Sequence, residues 1–157
     1  MKPKVYIETT IISYLAARPS RDLIVAAHQQ LTREWWDQNR PRFDIFVSQL
    51  VLEEAAEGDQ QAARLRLHVA RALPVLRVTE EATSLSRQLT RRRTLPTSAA
   101  TDALHIAIAT VHKMDYLMTW NCRHLANAEI QSAISVLCGS LGYTPPRICT
   151  PEELMGG

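Results

Sequence analysis

The stretch Val5-Tyr6-Ile7-Glu8-Thr9-Thr10-Ile11-Ile12-Ser13-Tyr14-Leu15 decides how the chain is read. The apolar run after Lys4 suits a short buried strand over 4–7, and the paired threonines open a helical stretch that runs through Leu15. Between the two stands one carboxylate, Glu8, at the carboxyl end of the strand. A charge at the edge of a core loses hydration, which disfavours its ionised form unless something compensates. Two compensations are open: a bound cation, or the backbone N–H groups of the helix that follows. Asp or Ser would cap that helix better than the longer Glu.

Outward from this unit the alternation repeats. Arg18-Pro19-Ser20 breaks the first helix, and Ser20 is expected to cap a second whose apolar face carries Leu23, Ile24, Ala27, Leu31 and Trp35. Pro41 ends it. A second strand is expected over 43–47, a helix from Ser48 to near Gly58, a helix over 59–72, a third strand over 75–78 and an amphipathic helix over 80–92. Pro96-Thr97-Ser98 starts the most apolar helix, over 99–112, whose Ala, Leu, Ile and Val residues bury it on most sides. A strand over 116–118, a helix over 129–141, a Pro145-Pro146 turn and a strand over 147–149 follow.

Short apolar strands alternating with helices predict an α/β fold: a three-layer α/β/α sandwich around a mainly parallel, roughly five-stranded sheet. Right-handed crossovers place helices on both faces. Ligands in such sheets bind beyond the carboxyl ends of the strands, near the point where strand order reverses. With no internal repeat, low-complexity tract or linker, residues 1–157 read as one domain.

The chain has 157 residues, 46% hydrophobic and 22% charged, an ordinary globular mixture long enough to bury a core without staples. A net charge of +2 does not by itself announce a nucleic-acid binder, and the run Arg91-Arg92-Arg93 reads as a solvated helix end. Cys122, Cys138 and Cys149 are odd in number and widely spaced, against both a disulfide framework and a zinc knuckle. Met1-Lys2-Pro3-Lys4 offers no signal-peptide core, and no stretch approaches the roughly 18 apolar residues of a membrane span. A cytoplasmic protein without a membrane partner is expected.

Further acids stand where chemistry is expected. Glu53 and Glu54 follow the second strand on a helix, about 100° apart around its axis, so one of them faces a given site. If Leu50 points to the core, Glu54 lies inward while Glu53 and Glu57 face water. Asp102 sits in the almost wholly apolar run Ala99-Ala100-Thr101-Asp102-Ala103-Leu104-His105-Ile106-Ala107-Ile108-Ala109. A charge there is costly unless paired, hydrogen-bonded or metal-bound, although the first turn of a helix favours an anion. His105 shares its face and reads as a satisfied supporting histidine rather than a ligand or base. Thr119-Trp120-Asn121 follows the fourth strand with a hydroxyl and an amide that suit either a metal-bound water, a phosphate or a simple turn.

Together these segments resemble the PIN-domain family, and within it the VapC-type ribonuclease toxins of bacterial toxin–antitoxin pairs. The resemblance covers nearly the whole chain in order. It rests on the acid-Thr-Thr signature at Glu8-Thr9-Thr10, on Glu54 four residues before Gly58, on Asp102 in Asp-Ala-Leu-His-Ile-Ala, and on Thr119-Trp120-Asn121 running into Arg123-His124-Leu125. It implies a PIN-like fold and a metal-dependent endoribonuclease using Mg2+ or Mn2+. It implies catalytic roles for Glu8, Glu54, Asp102 and Asn121, with the metal held by Glu8, Glu54 and Asp102. Thr10, Thr119 and His105 would support them, and Arg123 would contact the nucleic-acid backbone. RNA as substrate, a small cognate antitoxin protein and a homodimer are the implied partners.

Two departures stand out. Glu8 replaces the usual Asp, lengthening the side chain by roughly one C–C bond, about 1.5 Å. Asn121 stands where many members carry a fourth acid. Both favour an alternative, a weak or inactive PIN module that binds nucleic acid or a protein. A receiver-like regulator also gathers acids at strand ends, but it needs a late Lys, and none follows Lys113.

Overall fold

Every connection between neighbouring strands passes through at least one helix, so all strands run the same way. A computed structural model gives the fold and describes residues 1–92, 99–121, 125 and 127–156. The strands are β1 (Lys4–Ile7), β2 (Asp44–Ser48), β3 (Val75–Leu76), β4 (Tyr116–Met118) and β5 (Arg147–Cys149). They pair in parallel in the order β3-β2-β1-β4-β5, with Tyr6 opposite Phe46 on one side and Leu117 on the other. The expected parallel, five-stranded α/β sheet is present.

The helices are α1 (Thr9–Ala16), α2 (Leu23–Gln38), α3 (Gln49–Ala55), α4 (Gln60–Ala70), α5 (Glu80–Arg91), α6 (Ala100–Val111) and α7 (Ala128–Ser140). Helix α1 packs against α2, α3 and α4, while α5 packs against α6. The chain steps outward from β1 to β3, then returns to β4 on the other side of β1. Right-handed crossovers therefore put the first four helices on one face and the later ones on the opposite face. Strand order reverses at β1, so the crevice for ligands opens beyond the carboxyl ends of β1 and β4. A receiver-like sheet has the order 2-1-3-4-5. The observed order excludes that alternative.

Local chemistry sets the helix starts. Ser48, Asp59, Thr79 and Asn127 each turn a side-chain oxygen onto an N–H of the first turn that follows. Helix α2 departs from expectation. Its cap is Asp22, whose Oδ1 accepts from Val25 N at 3.0 Å, while Ser20 Oγ accepts from Asp22 N at 3.1 Å. Its buried residues are Gln29, Thr32 and Trp35, whereas Leu23 and Ile24 are 85% and 70% exposed.

The inward face of α2 accepts polar groups because their bonds are satisfied. Gln29 accepts from Ser20 N and donates to Arg18 O, pinning the α1–α2 connection from the inside. Pro41 falls in a 3-10 turn, Arg40–Arg42, that separates α2 from β2. The second strand spans 44–48 rather than 43–47, and the third ends at Leu76. Residues 96–98, expected to start α6, lie outside the described residues. The helix itself is buried on most sides, from Ala103 through Thr110 apart from Leu104. Among the described residues, no helix is long and apolar enough to cross a membrane.

The inward face is testable by contrast. Ile106 is fully buried, and Ile106→Ala is expected to cost about 2–5 kcal/mol through lost transfer energy and a cavity. Ile24→Ala, on an exposed turn, should stay within about 0.5 kcal/mol. Urea midpoints at unchanged slope measure both, and equal costs would contradict the packing of α2 described here.

Candidate functional site

At the end of β1 the chain turns directly into α1, and Glu8 is the residue at the junction. Its backbone N–H donates to Met118 O at 3.0 Å, extending the β1–β4 ladder by one bond. Its side chain turns back over the helix, where Oε1 accepts from Thr10 N at 3.1 Å. The hydroxyls of Thr10 and Thr119 donate to the same oxygen at 2.5 and 2.7 Å. Glu8 is only 5% exposed, so these donors offset the hydration its charge has lost. The capping role left open in the sequence is therefore filled by Glu8.

The direction of those bonds is fixed from behind. Trp120 N donates to Thr10 Oγ1 and Asn121 N donates to Thr119 Oγ1, each at 2.9 Å. A backbone N–H can only donate, so each hydroxyl accepts there and gives its own proton to Glu8. The turn after β4 is thus joined to α1 and to the carboxylate by two matching bridges. From the same turn, Asn121 Nδ2 donates to Asp102 Oδ1 at 3.2 Å, which brings the first turn of α6 into the network. Glu8, Thr10, Thr119, Asn121 and Asp102 form one continuous set at the strand-order reversal.

A second set meets the first at α1. Glu54 is 26% exposed and its Oε1 accepts from Thr9 Oγ1 and from His105 Nε2, both at 2.6 Å. Burial pushes the Glu54 carboxyl up. The hydrogen bond from His105, the charge of that ring and the Thr9 hydroxyl together pull it further down, below its ordinary value. His105 is 1% exposed, with Nδ1 against Tyr6 OH, and Tyr6 OH lies 2.8 Å from Ser48 Oγ. Burial above all raises the Tyr6 phenol, which stays protonated. Ser48, Tyr6, His105 and Glu54 thus form one continuous hydrogen-bonded chain, with the two ring nitrogens of His105 bridging Tyr6 and Glu54.

His105 is the satisfied supporting histidine expected from the sequence. Glu53 and Glu57 are exposed, as the helix periodicity implied. The sequence reading missed Tyr6, Thr9 and Ser48 as parts of the site. A polar tip inside an otherwise apolar strand was the available signal for Tyr6. Arg91 and Arg92 are exposed at the end of α5. Arg93, Cys122, Arg123 and His124 lie outside the described residues.

Among the described residues, no three His, Cys, Asp or Glu side chains already enclose a position for an ion. The donor set still suits a hard cation. Each glutamate has its Oε1 held by protein donors, while no hydrogen bond among the described residues uses either Oε2. Mg2+ is held through one or two carboxylates and keeps several waters, rather than filling a dedicated cage. The two Oε2 atoms, free of protein hydrogen bonds among the described residues, suit that mode.

No protein-family model and no curated protein sequence matches the chain. Solved structures do. The crystal structure of Mycobacterium tuberculosis VapC20, a Sarcin-Ricin loop cleaving toxin, superposes with a TM-score of 0.60 at 14% identity, over 82% of this chain and 94% of that one. VapBC2 from Rickettsia felis, bound to a DNA fragment from its promoter, gives a TM-score of 0.55 at 15% identity, over 76% and 89%. The likeness shows that the chain has the PIN-like fold of VapC-type proteins.

Glu54 supplies a pH test. Its folded pKa lies below the ordinary glutamate value of 4.5, so its contribution to stability is present above that value and disappears as pH falls through the folded pKa. Urea unfolding in chelator should show wild type more stable than Glu54→Gln at neutral pH, with the gap closing in acid. A gap that widens in acid would reverse the sign and contradict the His105–Glu54 arrangement.

Proposed function

We propose that the chain is a metal-dependent endoribonuclease that hydrolyses RNA phosphodiester bonds and serves as the toxin of a toxin–antitoxin pair. The observation that carries this reading is the hydrogen-bonded set of Glu8, Thr10, Thr119, Asn121 and Asp102 beyond β1 and β4, with Glu54 tied to the start of the same helix α1 through Thr9. The fold shared with a Sarcin-Ricin loop cleaving toxin and with the VapBC2 complex supports it.

In this reading Glu8, Glu54 and Asp102 hold Mg2+ or Mn2+ directly or through water. Such an ion lowers the pKa of bound water, orients the scissile phosphate and neutralises developing charge. The chain's own residues do the positioning. The hydroxyls of Thr10 and Thr119 hold Oε1 of Glu8 and so fix the rotation of its carboxylate. His105, braced by Tyr6, does the same for Glu54. Asn121 sets the rotation of Asp102 through its amide. Arg123 contacts the RNA backbone by salt-sensitive attraction. A small antitoxin covering the site, a homodimer and a cytoplasmic location complete the proposal, as does a single domain over the whole chain.

One observation favours the second reading, a PIN module that binds nucleic acid or a partner and cuts weakly. Asn121 Nδ2 occupies Oδ1 of Asp102 with a hydrogen bond, where a fourth acid would instead have added negative charge.

RNA cleavage in Mg2+ or Mn2+ should be abolished by chelator and should fall at least about 100-fold in Asp102→Asn, the order seen when an electrostatic contact to the transition state is removed. Equal rates in folded wild type and variant would remove the catalytic assignment, and stimulation by chelator would be as damaging. Asn121→Asp separates the two readings. Restoring the fourth acid should tighten Mn2+ binding, measured calorimetrically, by roughly tenfold, or about 1.4 kcal/mol. Unchanged affinity would mean that Asn121 does not limit the site.

A further inference from the structure

Beside the acidic residues stands a stack of aromatic rings that the nuclease proposal does not use. Trp120 lies between Thr119 and Asn121 in the chain. Its backbone N–H is held by Thr10 Oγ1, and its indole Nε1 donates to Thr32 Oγ1 at 2.7 Å. Thr32 in turn donates to His28 O at 2.6 Å. The ring of His28 lies on that of Trp120 with centroids 4.0 Å apart and planes 8° from parallel. Tyr14 adds a third ring, 6.3 Å from His28 and tilted by 37°. The three come from α1, α2 and the turn after β4, and all are partly exposed.

Core packing accounts for Trp120, which lies against the buried cluster. The His28 ring, partly exposed and stacked on that indole, makes no side-chain hydrogen bond among the described residues, so neither of its ring nitrogens is used by the fold. An aliphatic residue would cover the indole as well without carrying two polar ring nitrogens. A flat π face combined with a hydrogen-bonding edge is what a nucleobase recognises. The bonds to Trp120 hold the platform in place before anything binds, so less conformational freedom is lost on association.

We propose that His28, stacked on Trp120, is a binding platform for an unpaired RNA base next to the cleavage site. The proposal rests on the nuclease reading and narrows its substrate to single-stranded or looped RNA, because bases inside a duplex already stack on each other and present no free face. The platform adjoins the site through the shared hydroxyl of Thr10, which joins Trp120 N to Glu8 Oε1.

The test measures binding without cleavage. In chelator at low salt, fluorescence anisotropy compares a short single-stranded RNA with the same strand lacking its bases, against wild type, His28→Ala, His28→Phe and His28→Leu. Alanine favours helix more than histidine, so α2 is retained in the first variant. The expected result is that His28→Ala binds the base-bearing strand about tenfold more weakly, within the range of one base–aromatic stack. Binding to the abasic strand is unchanged, His28→Phe restores the loss, and His28→Leu does not.

Undiminished RNA binding by His28→Ala overturns the platform and leaves the rings to a polypeptide partner. Equal loss on both strands, rescue by leucine, or a wild type that binds neither strand overturns it too. A protein that shows the base dependence yet never cleaves RNA with metal sinks the nuclease reading alone. One that cleaves without base dependence sinks the platform alone.

Discussion

One oxygen atom, Oε1 of Glu8, holds the top of the sheet together. It lies at the end of the central strand and gathers three donors, two from the first turn of α1 and one from the residue after β4. Burying a charge is costly unless it is well hydrogen-bonded. Satisfying this one requires β1, α1 and β4 to end in register, and the Glu8 N–H to Met118 O bond completes that register through the backbone. The crevice at the strand-order reversal is therefore bounded by a charge that is already satisfied on its inner side.

The same device recurs at Glu54 with different parts. There a histidine and a threonine hydroxyl take the inner oxygen, and the histidine is braced in turn by Tyr6 and Ser48. Ser48 also caps α3, the helix that carries Glu54, by accepting from Val51 N at 3.2 Å. One hydroxyl thus fixes both the helix start and the far end of the brace that orients its carboxylate. Fixing one oxygen of a carboxylate fixes the direction of the other. Two glutamates each held by one oxygen have lost rotamer freedom before any ligand arrives, which lowers the cost of ordering them on binding.

The fold was legible where local chemistry and periodicity agreed. The strand-acid-helix junction at residues 4–15, the helix start at Ser48 and the apolar 99–112 segment all carry their signal within a few residues. Helix α2 misled because Ser20 and Asp22 are both good caps two positions apart. Leu23 and Ile24 also imitate an apolar face that the tertiary structure turns to solvent. Of the candidate site, Glu8 and Asp102 stood out in the sequence as charges in unfavourable places. The brace behind Glu54 did not, since Tyr6 meets Ser48 and His105 across 42 and 99 positions. No periodicity reports a contact at that range, and strand order, which brings β4 beside β1, is a pairing of the same kind.

The balance of charge in the site has a physical logic that bears on Asn121. Glu8, Glu54 and Asp102 at one end of the sheet repel one another, and each added acid raises the free energy of the metal-free fold while increasing attraction for a cation. An aspartate at position 121 would face Asp102 with a second negative charge. The asparagine instead donates a hydrogen bond to it and keeps its backbone link to Thr119, so the turn after β4 stays attached whether or not an ion is bound. The longer reach of Glu8 acts in the same sense, because it lets Oε1 return to the N–H of Thr10 at the start of α1. Under the nuclease proposal, both departures from the usual PIN pattern trade attraction for a cation against repulsion among the acids. On the same proposal, contacts to the backbone or a base of the nucleic acid outside the acidic cluster would supply the affinity that a weaker hold on the ion gives up.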